Sequence, residues 1–353
     1  MKNIKLLICV FLCSILFIEA KAQRLTFSSE LGYFTNDENI SIISKLWQDY
    51  IDAINTDSDT SQYWYDKNTD IHKSLHKDGL INTFNIRKLS DEIYEINNIV
   101  YYPDGAIKGG LINAIYKVCA VLSEDKWQLT NYLDAVKGRY NSQSTDYIDF
   151  YIGNGATLDK KQINTSSKFA KRFIQNYDIN NNHKITYITA SSIDDCAAMI
   201  GLTYTPIRSH KPYAGRTIDN IVLSTRLDHI HEVVHAIMLP LYPNTPLFLH
   251  EGIATYYGGA AEHNFKALKK AATSFIAKHN IEFNTNDFLN AKLSDDIPLS
   301  YIVAAAIIEH ALQTGGEKEV LRLFDSKSYD EIFDLLGTND NKRGEFIHQL
   351  FIK

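Results

Sequence analysis

Hydrophobic and polar positions follow two rhythms along this chain, and the change of rhythm falls near residue 140. The first part opens with a helical period: Ile43, Leu46, Trp47, Tyr50, Ile51 and Ile54 fall on one stripe, the spacing of an amphipathic helix. Thr35-Asn36-Asp37-Glu38 precedes it as a capping box, with Thr35 as N-cap and Glu38 three residues on. The polar stretch Asn55 to Ser61 ends the helix. Segments rich in β-branched and aromatic residues follow at Ile93–Val100, Leu111–Leu122 and Trp127–Ala135. Pro103-Asp104-Gly105 and Ser123-Glu124-Asp125-Lys126 separate them as turns. A long helix and then an antiparallel meander predict a small α+β domain.

The polar run Lys137 to Thr145, with Gly138 inside it, marks the boundary. Beyond it, strand and helix alternate. Tyr147–Ile152 reads as a strand, Ser166–Tyr177 as a helix with Phe169, Phe173 and Tyr177 in register, and Ile185–Thr189 as a strand after the turn Asn180-Asn181-Asn182. Ile221–Ser224 is a further short strand, and nearly everything after it has a helical pattern. The predicted class is α+β: a small mixed-sheet lobe followed by a helical lobe, preceded by a separate small α+β domain. The expected division is 1–22 as a signal peptide, 23–140 as the N-terminal domain and 141–353 as the second domain. In pattern alone the N-terminal domain is similar to the cone-shaped fold shared by nuclear transport factors and polyketide-cyclase-like proteins. No catalytic constellation lies in it, and Trp47, Trp64 and Trp127 read as core residues.

Composition narrows the choice. Of 353 residues, 45% are hydrophobic and 22% charged, with 21 Tyr and 17 Phe, a balance that argues against general disorder. Lys2 and Lys5, the apolar run Leu6 to Ile18 and the small residues of Ala20-Lys21-Ala22 predict an export signal cleaved before Gln23. The run is too short to span a bilayer, and Leu12 before Cys13 speaks against lipid attachment. The expected location is periplasmic or extracellular, with no stable membrane span once the signal is removed. Cleavage there removes Lys2, Lys5, Lys21 and Glu19, taking the net charge from −6 to −8. That balance disfavours nucleic acid or an anionic membrane as partner. Cys119 and Cys196 then remain, either paired or as two buried thiols. The oligomeric state is open.

The chemistry lies in His231-Glu232-Val233-Val234-His235. Residues four apart on a helix are separated by about 40° around its axis, so both imidazoles leave one face and can reach one cation. Glu232 stands one step around, where a base for an attacking water belongs. Val233, Val234, Ala236, Ile237 and Met238 would bury the rest of the helix. After Pro240, Pro243 and Pro246, a second helix begins within Phe248-Leu249-His250-Glu251-Gly252-Ile253-Ala254-Thr255-Tyr256. A catalytic zinc needs a third protein ligand and an open position. Glu251 supplies that ligand if the second helix returns antiparallel to the first, and the fifteen intervening residues allow this.

This pattern resembles the gluzincins, zinc metallopeptidases with two His and one Glu as ligands, and within them the peptidase-MA-like group. Its second motif, E-G-x-A-x-Y, is matched by Glu251, Gly252, Ala254 and Tyr256. Tyr301 to His310, Gly315-Gly316-Glu317-Lys318 and Val320-Leu321 resemble that group's downstream helix pair, and Asp194-Asp195 with the flanking strands fits its N-terminal lobe. The resemblance covers about residues 145–330. It implies a zincin-like metallopeptidase fold, one Zn²⁺ per chain on His231, His235 and Glu251, Glu232 as general base, and a peptide or protein substrate. By the same resemblance Tyr301 is a candidate for stabilising the oxyanion, with ordinary helix packing as its alternative. No G-x-M-E-N exopeptidase signature is present.

Other residues have plainer expectations. Asp228 reads as an N-cap and His229 as a first-turn or solvent histidine. His250 would sit behind or beside the site, Tyr256 in the core, and Thr255 within reach of a ligand histidine. Tyr213-Ala214-Gly215-Arg216 falls where an edge strand would run beside the metal. The leading function is therefore zinc-dependent hydrolysis of peptide bonds. The competing one is a non-catalytic receptor or scaffold that retains the fold and its zinc.

Overall fold

The computed structural model describes residues 25–27, 37–65, 70–76, 79–101, 112–180, 184–204, 215–283, 286–338 and 340–352. The expected signal segment, Thr35, the Pro103 turn and Tyr213-Ala214 lie outside the described residues. The chain forms two compact units, 1–139 with 197–208, and 140–196 with 209–353.

In the first unit β1 (Leu25–Phe27) lies parallel to the strand that follows helix α1 (Glu38–Asn55) and the single turn α2 (Lys73–His76). The N-cap of α1 is Asp37, whose carboxylate accepts from the Asn39 amide at 3.1 Å and also from the Tyr94 hydroxyl. The helix thus starts where a short acceptor side chain meets the first free amides. Ile40, Ile43, Trp47, Tyr50, Ile51 and Ala53 form its buried stripe.

Strands β2 (Leu80–Ser90), β3 (Ile93–Tyr101), β4 (Ile112–Ser123) and β5 (Lys126–Asn131) complete an antiparallel meander. Sequence pattern missed β2 for a physical reason. Its register shifts between Thr83 and Asn85, so the alternation Ile81, Thr83 resumes out of phase at Ile86 and leaves Phe84 on the exposed side. The expected strand Trp127–Ala135 ends early, at Asn131, where the chain turns into a short helix α3 (Tyr132–Val136); the Asn131 side chain accepts from the Ile71 amide at 3.2 Å rather than capping that helix. Trp47, Trp64 and Trp127 are all core residues. At the heart of this unit Asp70 accepts from Tyr50 at 2.9 Å and from the His72 amide at 2.7 Å, while Tyr116 meets His76 Nε2 at 2.7 Å.

The second unit begins with β6 (Asn141–Ser144), β7 (Ile148–Ile152) and helix α4 (Lys160–Asn176). Asp159 caps α4 through the amides of Lys161 and Gln162, so the helix begins at Lys160, six residues before the expected Ser166. After β8 (Ile185–Thr189) and α5 (Ile193–Met199), the chain contributes β9 (Leu202–Tyr204) to the first unit, antiparallel to β4 at Ile115 and Tyr116. It then adds β10 (Gly215–Ile218) and β11 (Ile221–Ser224) to the second. The resulting sheet has the order β10-β11-β8-β7-β6, parallel through its three central strands and antiparallel at both edges.

Helices follow: α6 (Ile230–Leu241), α7 (Leu247–Gly258), α8 (Phe265–His279), α9 (Leu299–Phe324), α10 (Tyr329–Leu335) and α11 (Asp340–Ile352), interrupted by the small hairpin β12 (Lys292–Ser294) and β13 (Ile297–Pro298); α9 is two helices joined at a kink at Gly316, whose φ of 68° is not helical. The protein is thus mixed α and β. Pro240 does not stop α6, which runs one residue farther. No helix among the described residues is long and apolar enough to cross a membrane. Cys119 and Cys196 are free and buried, and burial pushes both thiols up to about 12.

Candidate metal centre

The loop entering α6 is held from several sides. Ser166 donates to the Leu227 carbonyl at 2.7 Å, the Leu227 amide to Gln162 at 2.8 Å, and the Tyr187 hydroxyl to the Arg226 carbonyl at 2.7 Å. Tyr187 also receives the His229 amide at 3.1 Å. Asp228 is not the cap; its carboxylate is taken by Arg226 at 2.6 Å. His229 occupies the N-cap position without a capping side-chain bond, and its Nδ1 lies 3.0 Å from Ser224 Oγ. It stands half-buried at the start of the helix, outside the group of three that could hold a metal. Burial lowers its affinity for a proton.

Helix α7 returns antiparallel to α6. At one end His250 Nε2 bonds the Tyr242 carbonyl at 3.0 Å; at the other, His231 Nδ1 bonds the Gly259 carbonyl at 2.8 Å. A carbonyl can only accept, so His231 carries its proton on Nδ1 and turns Nε2 toward the site. Gly259 takes φ +75°, and a side chain there would strike the His263 carbonyl at 2.1 Å. Gly258 lets the two helices touch, since a Cβ would lie 2.3 Å from the His231 amide nitrogen.

Three donors converge. His231 Nε2 and His235 Nε2 are 3.1 Å apart, His231 Nε2 is 3.3 Å from Glu251 Oε2, and His235 Nε2 is 3.6 Å from Glu251 Oε1. Bonds of about 2.0–2.1 Å at tetrahedral angles separate neighbouring donors by about 3.3–3.4 Å. Glu251 Oε2 is buried and makes no aligned hydrogen bond despite its 3.3 Å approach to the imidazole. A buried carboxylate oxygen without a partner, facing one imidazole while its twin faces the other, fits a cation as the missing partner. Among the described residues these three are the cluster able to hold a metal.

Electrostatics agree with the geometry. Burial alone would raise the Glu251 carboxyl, but His231 and His235 hold it down to about 2. For His231 burial works downward, yet Glu251, Glu232 and the Gly259 carbonyl together raise its pKa. The carboxylate is therefore ionised, as a ligand must be.

Glu232 is buried beside this cluster, and its Oε2 accepts from Thr217 Oγ1 on β10 at 2.7 Å. Tyr301, on α9, reaches the same place. Burial first, then the adjacent Glu251, and finally Glu232, raise its phenol, so it stays protonated. Gly252 next to Glu251 lets α9 close in, where a Cβ would meet Ala304 at 2.6 Å.

All five residues singled out in the sequence thus lie around one point. The remaining residues named in the sequence lie outside the group of three able to hold a metal. His250 is fully buried against Phe324 and Tyr242, away from any rim, and burial holds it down to about 4. Thr255 is buried with no hydrogen-bond partner for its hydroxyl, so it does not support a ligand histidine. Tyr256 packs half-buried against the core, between Tyr257 and Phe265. Thr217 and the Gly259 carbonyl had no sequence signal, because their roles depend on pairings far along the chain. No protein-family model matches the chain, and no curated protein matches it.

Proposed function

We propose that this chain is an exported zinc-dependent peptidase of the gluzincin kind, acting on peptide or protein substrates. The observation that carries the reading is the convergence of His231, His235 and the ionised Glu251, with the buried carboxylate of Glu232 beside them. Two nitrogens and one carboxylate oxygen suit a borderline cation such as zinc and leave a fourth position for water. A Zn²⁺ ion held there supplies Lewis acidity, which acidifies a water and polarises a carbonyl.

The protein's own groups do the rest. His231 and His235 present their Nε2 lone pairs, and Glu251 brings the charge that favours a cation. Glu232 takes the proton of the attacking water and passes it to the leaving amine. Tyr301, kept protonated by burial and its acidic neighbours, donates to the oxyanion that forms on the scissile carbonyl. A structural zinc site closes with four protein ligands and needs no base; the buried Glu232 therefore favours an enzyme over a scaffold.

The test is Glu232→Gln. The variant is expected to retain about one zinc per chain, like the wild type, and to lose hydrolysis of an unstructured protein by about 10²–10⁴-fold. If wild type and variant bind zinc and are equally inert across a broad peptide library, the chain is a zinc-holding scaffold. If neither binds zinc, the cluster is coincidental.

A further inference from the structure

Edge strand β10 is tied to the first turn of α6 by one side chain. Thr217 Oγ1 lies 2.7 Å from Glu232 Oε2 and 3.1 Å from the Glu232 backbone carbonyl. A hydroxyl has a single proton. The carboxylate is the shorter and charged acceptor, so the proton goes to Oε2. Glu232 is 8% exposed, and the Thr217 hydroxyl is the donor at its Oε2. Two residues earlier on the strand, Gly215 leaves the space this approach requires: a Cβ would stand 2.6 Å from Glu232 Cγ and 2.4 Å from the His229 ring. The strand is itself fixed by four antiparallel partners on β11, Thr217 opposite Val222.

We propose that Thr217 is a positioning residue for Glu232, holding Oε2 so that Oε1 alone is presented to the reacting water. This rests on the peptidase reading above. A glutamate side chain has three rotatable torsions, and a base must stand within hydrogen-bond reach of the proton it takes. Without the hydroxyl, the carboxylate is free to turn toward other donors. A misplacement of about 1 Å at a reacting group costs about 10²-fold in rate. Thr217 is not one of the three converging donors; its hydroxyl acts through Glu232. Valine keeps the β-branched shape, which makes Thr217→Val the near-isosteric way to remove the hydroxyl alone.

The experiment compares wild type, Thr217→Val, Thr217→Ser, Glu232→Gln and the double variant Thr217→Val/Glu232→Gln, all zinc-loaded, with an unstructured protein substrate. Thr217→Val is expected to lower kcat about 10- to 100-fold with KM within about twofold. Thr217→Ser should stay within about threefold of wild type, and the double variant should be no slower than Glu232→Gln alone. Zinc affinity should be unchanged throughout. A readout independent of activity is the crystal structure of metal-free Thr217→Val, in which the Glu232 carboxylate leaves its wild-type place, whereas in Thr217→Ser it keeps it. Unchanged kcat in Thr217→Val, or an unmoved Glu232, overturns the positioning role. So does an equal loss on top of Glu232→Gln, which would mark Thr217 as a structural residue only. An inert wild type overturns the peptidase reading instead, and the crystallographic comparison still decides whether Thr217 holds Glu232.

Discussion

Gly252 stands between the third ligand and the helix that backs it, and replacing it by alanine puts a number on how tightly that packing sets the site. In Gly252→Ala the new methyl would lie 2.6 Å from Ala304 Cβ, 2.8 Å from its carbonyl carbon and 3.0 Å from its oxygen. Carbon atoms settle at about 3.5–4.0 Å, so α7 and α9 must separate by about 1 Å. Two of the three clashing atoms are backbone, and no rotamer change relieves them. Overpacking of this kind costs about 1–3 kcal/mol of stability. The larger consequence is for the metal. Ligand distances hold to about 0.2 Å, and Glu251 immediately precedes the displaced residue. A drop in zinc affinity of about 10- to 100-fold is expected, comparable to loss of an outer support. Competition titration against a chromogenic chelator measures it, with thermal melting and circular dichroism to establish that the variant folds. Gly138→Ala is the control: nothing lies within 4 Å of its added Cβ, and its stability should change by less than about 0.5 kcal/mol. A folded Gly252→Ala protein with wild-type zinc affinity would refute the view that helix packing places Glu251.

Further outcomes follow from the same geometry. Tyr301→Phe should keep its zinc and lose about 10²–10³-fold in kcat with little change in KM; undiminished turnover would return Tyr301 to ordinary packing. Protons compete with the metal for imidazole, so zinc affinity should fall as pH is lowered. Because Glu251 and Glu232 outweigh burial and raise His231, the fall should begin above pH 6.5; affinity constant between pH 8 and 5 would contradict two histidine ligands. In the first unit burial holds His76 down to about 3, against 6.5 for an ordinary histidine. Between those values the unfolded chain binds a proton that the folded one does not, so this residue's contribution is present above pH 6.5 and is lost as pH falls toward 3. The limiting slope is about 1.4 kcal/mol per pH unit. Asp70 beside it is raised by burial and works the opposite way, so the comparison of denaturation curves is between wild type and His76→Gln, which should have the shallower slope. Equal slopes would show that His76 does not titrate on unfolding.

What the sequence disclosed and what it hid have separate physical causes. Local periodicity is a property of neighbouring residues, so the α1 stripe, the strands Ile185–Thr189 and Ile221–Ser224 and the His231–His235 pair were legible. Glu251 was legible because a short hairpin between two helices permits few arrangements. The bulge at Thr83–Asn85 erased the alternation that would have marked β2. The apparent strand Trp127–Ala135 gives way to a helix after Asn131, whose side chain is held by the distant Ile71 amide, a pairing local pattern does not show. Strand β9 is only three residues long, and its pairing with β4 is a long-range contact. His250 and Thr255 have polar side chains beside a ligand, which invites a functional reading, yet both are turned into the core. Thr217 shows the converse: an unremarkable strand residue becomes chemically significant only once β10 is laid against α6.

The central claim is that His231, His235 and Glu251 grip one zinc ion. Diffraction from crystals of the zinc-loaded protein at the zinc absorption edge tests it most directly. The account predicts a single strong anomalous peak about 2.0–2.2 Å from both Nε2 atoms and a Glu251 oxygen, with a non-protein ligand completing the shell. A zinc-loaded crystal with no peak there, or with Glu251 turned away from the metal, would contradict it.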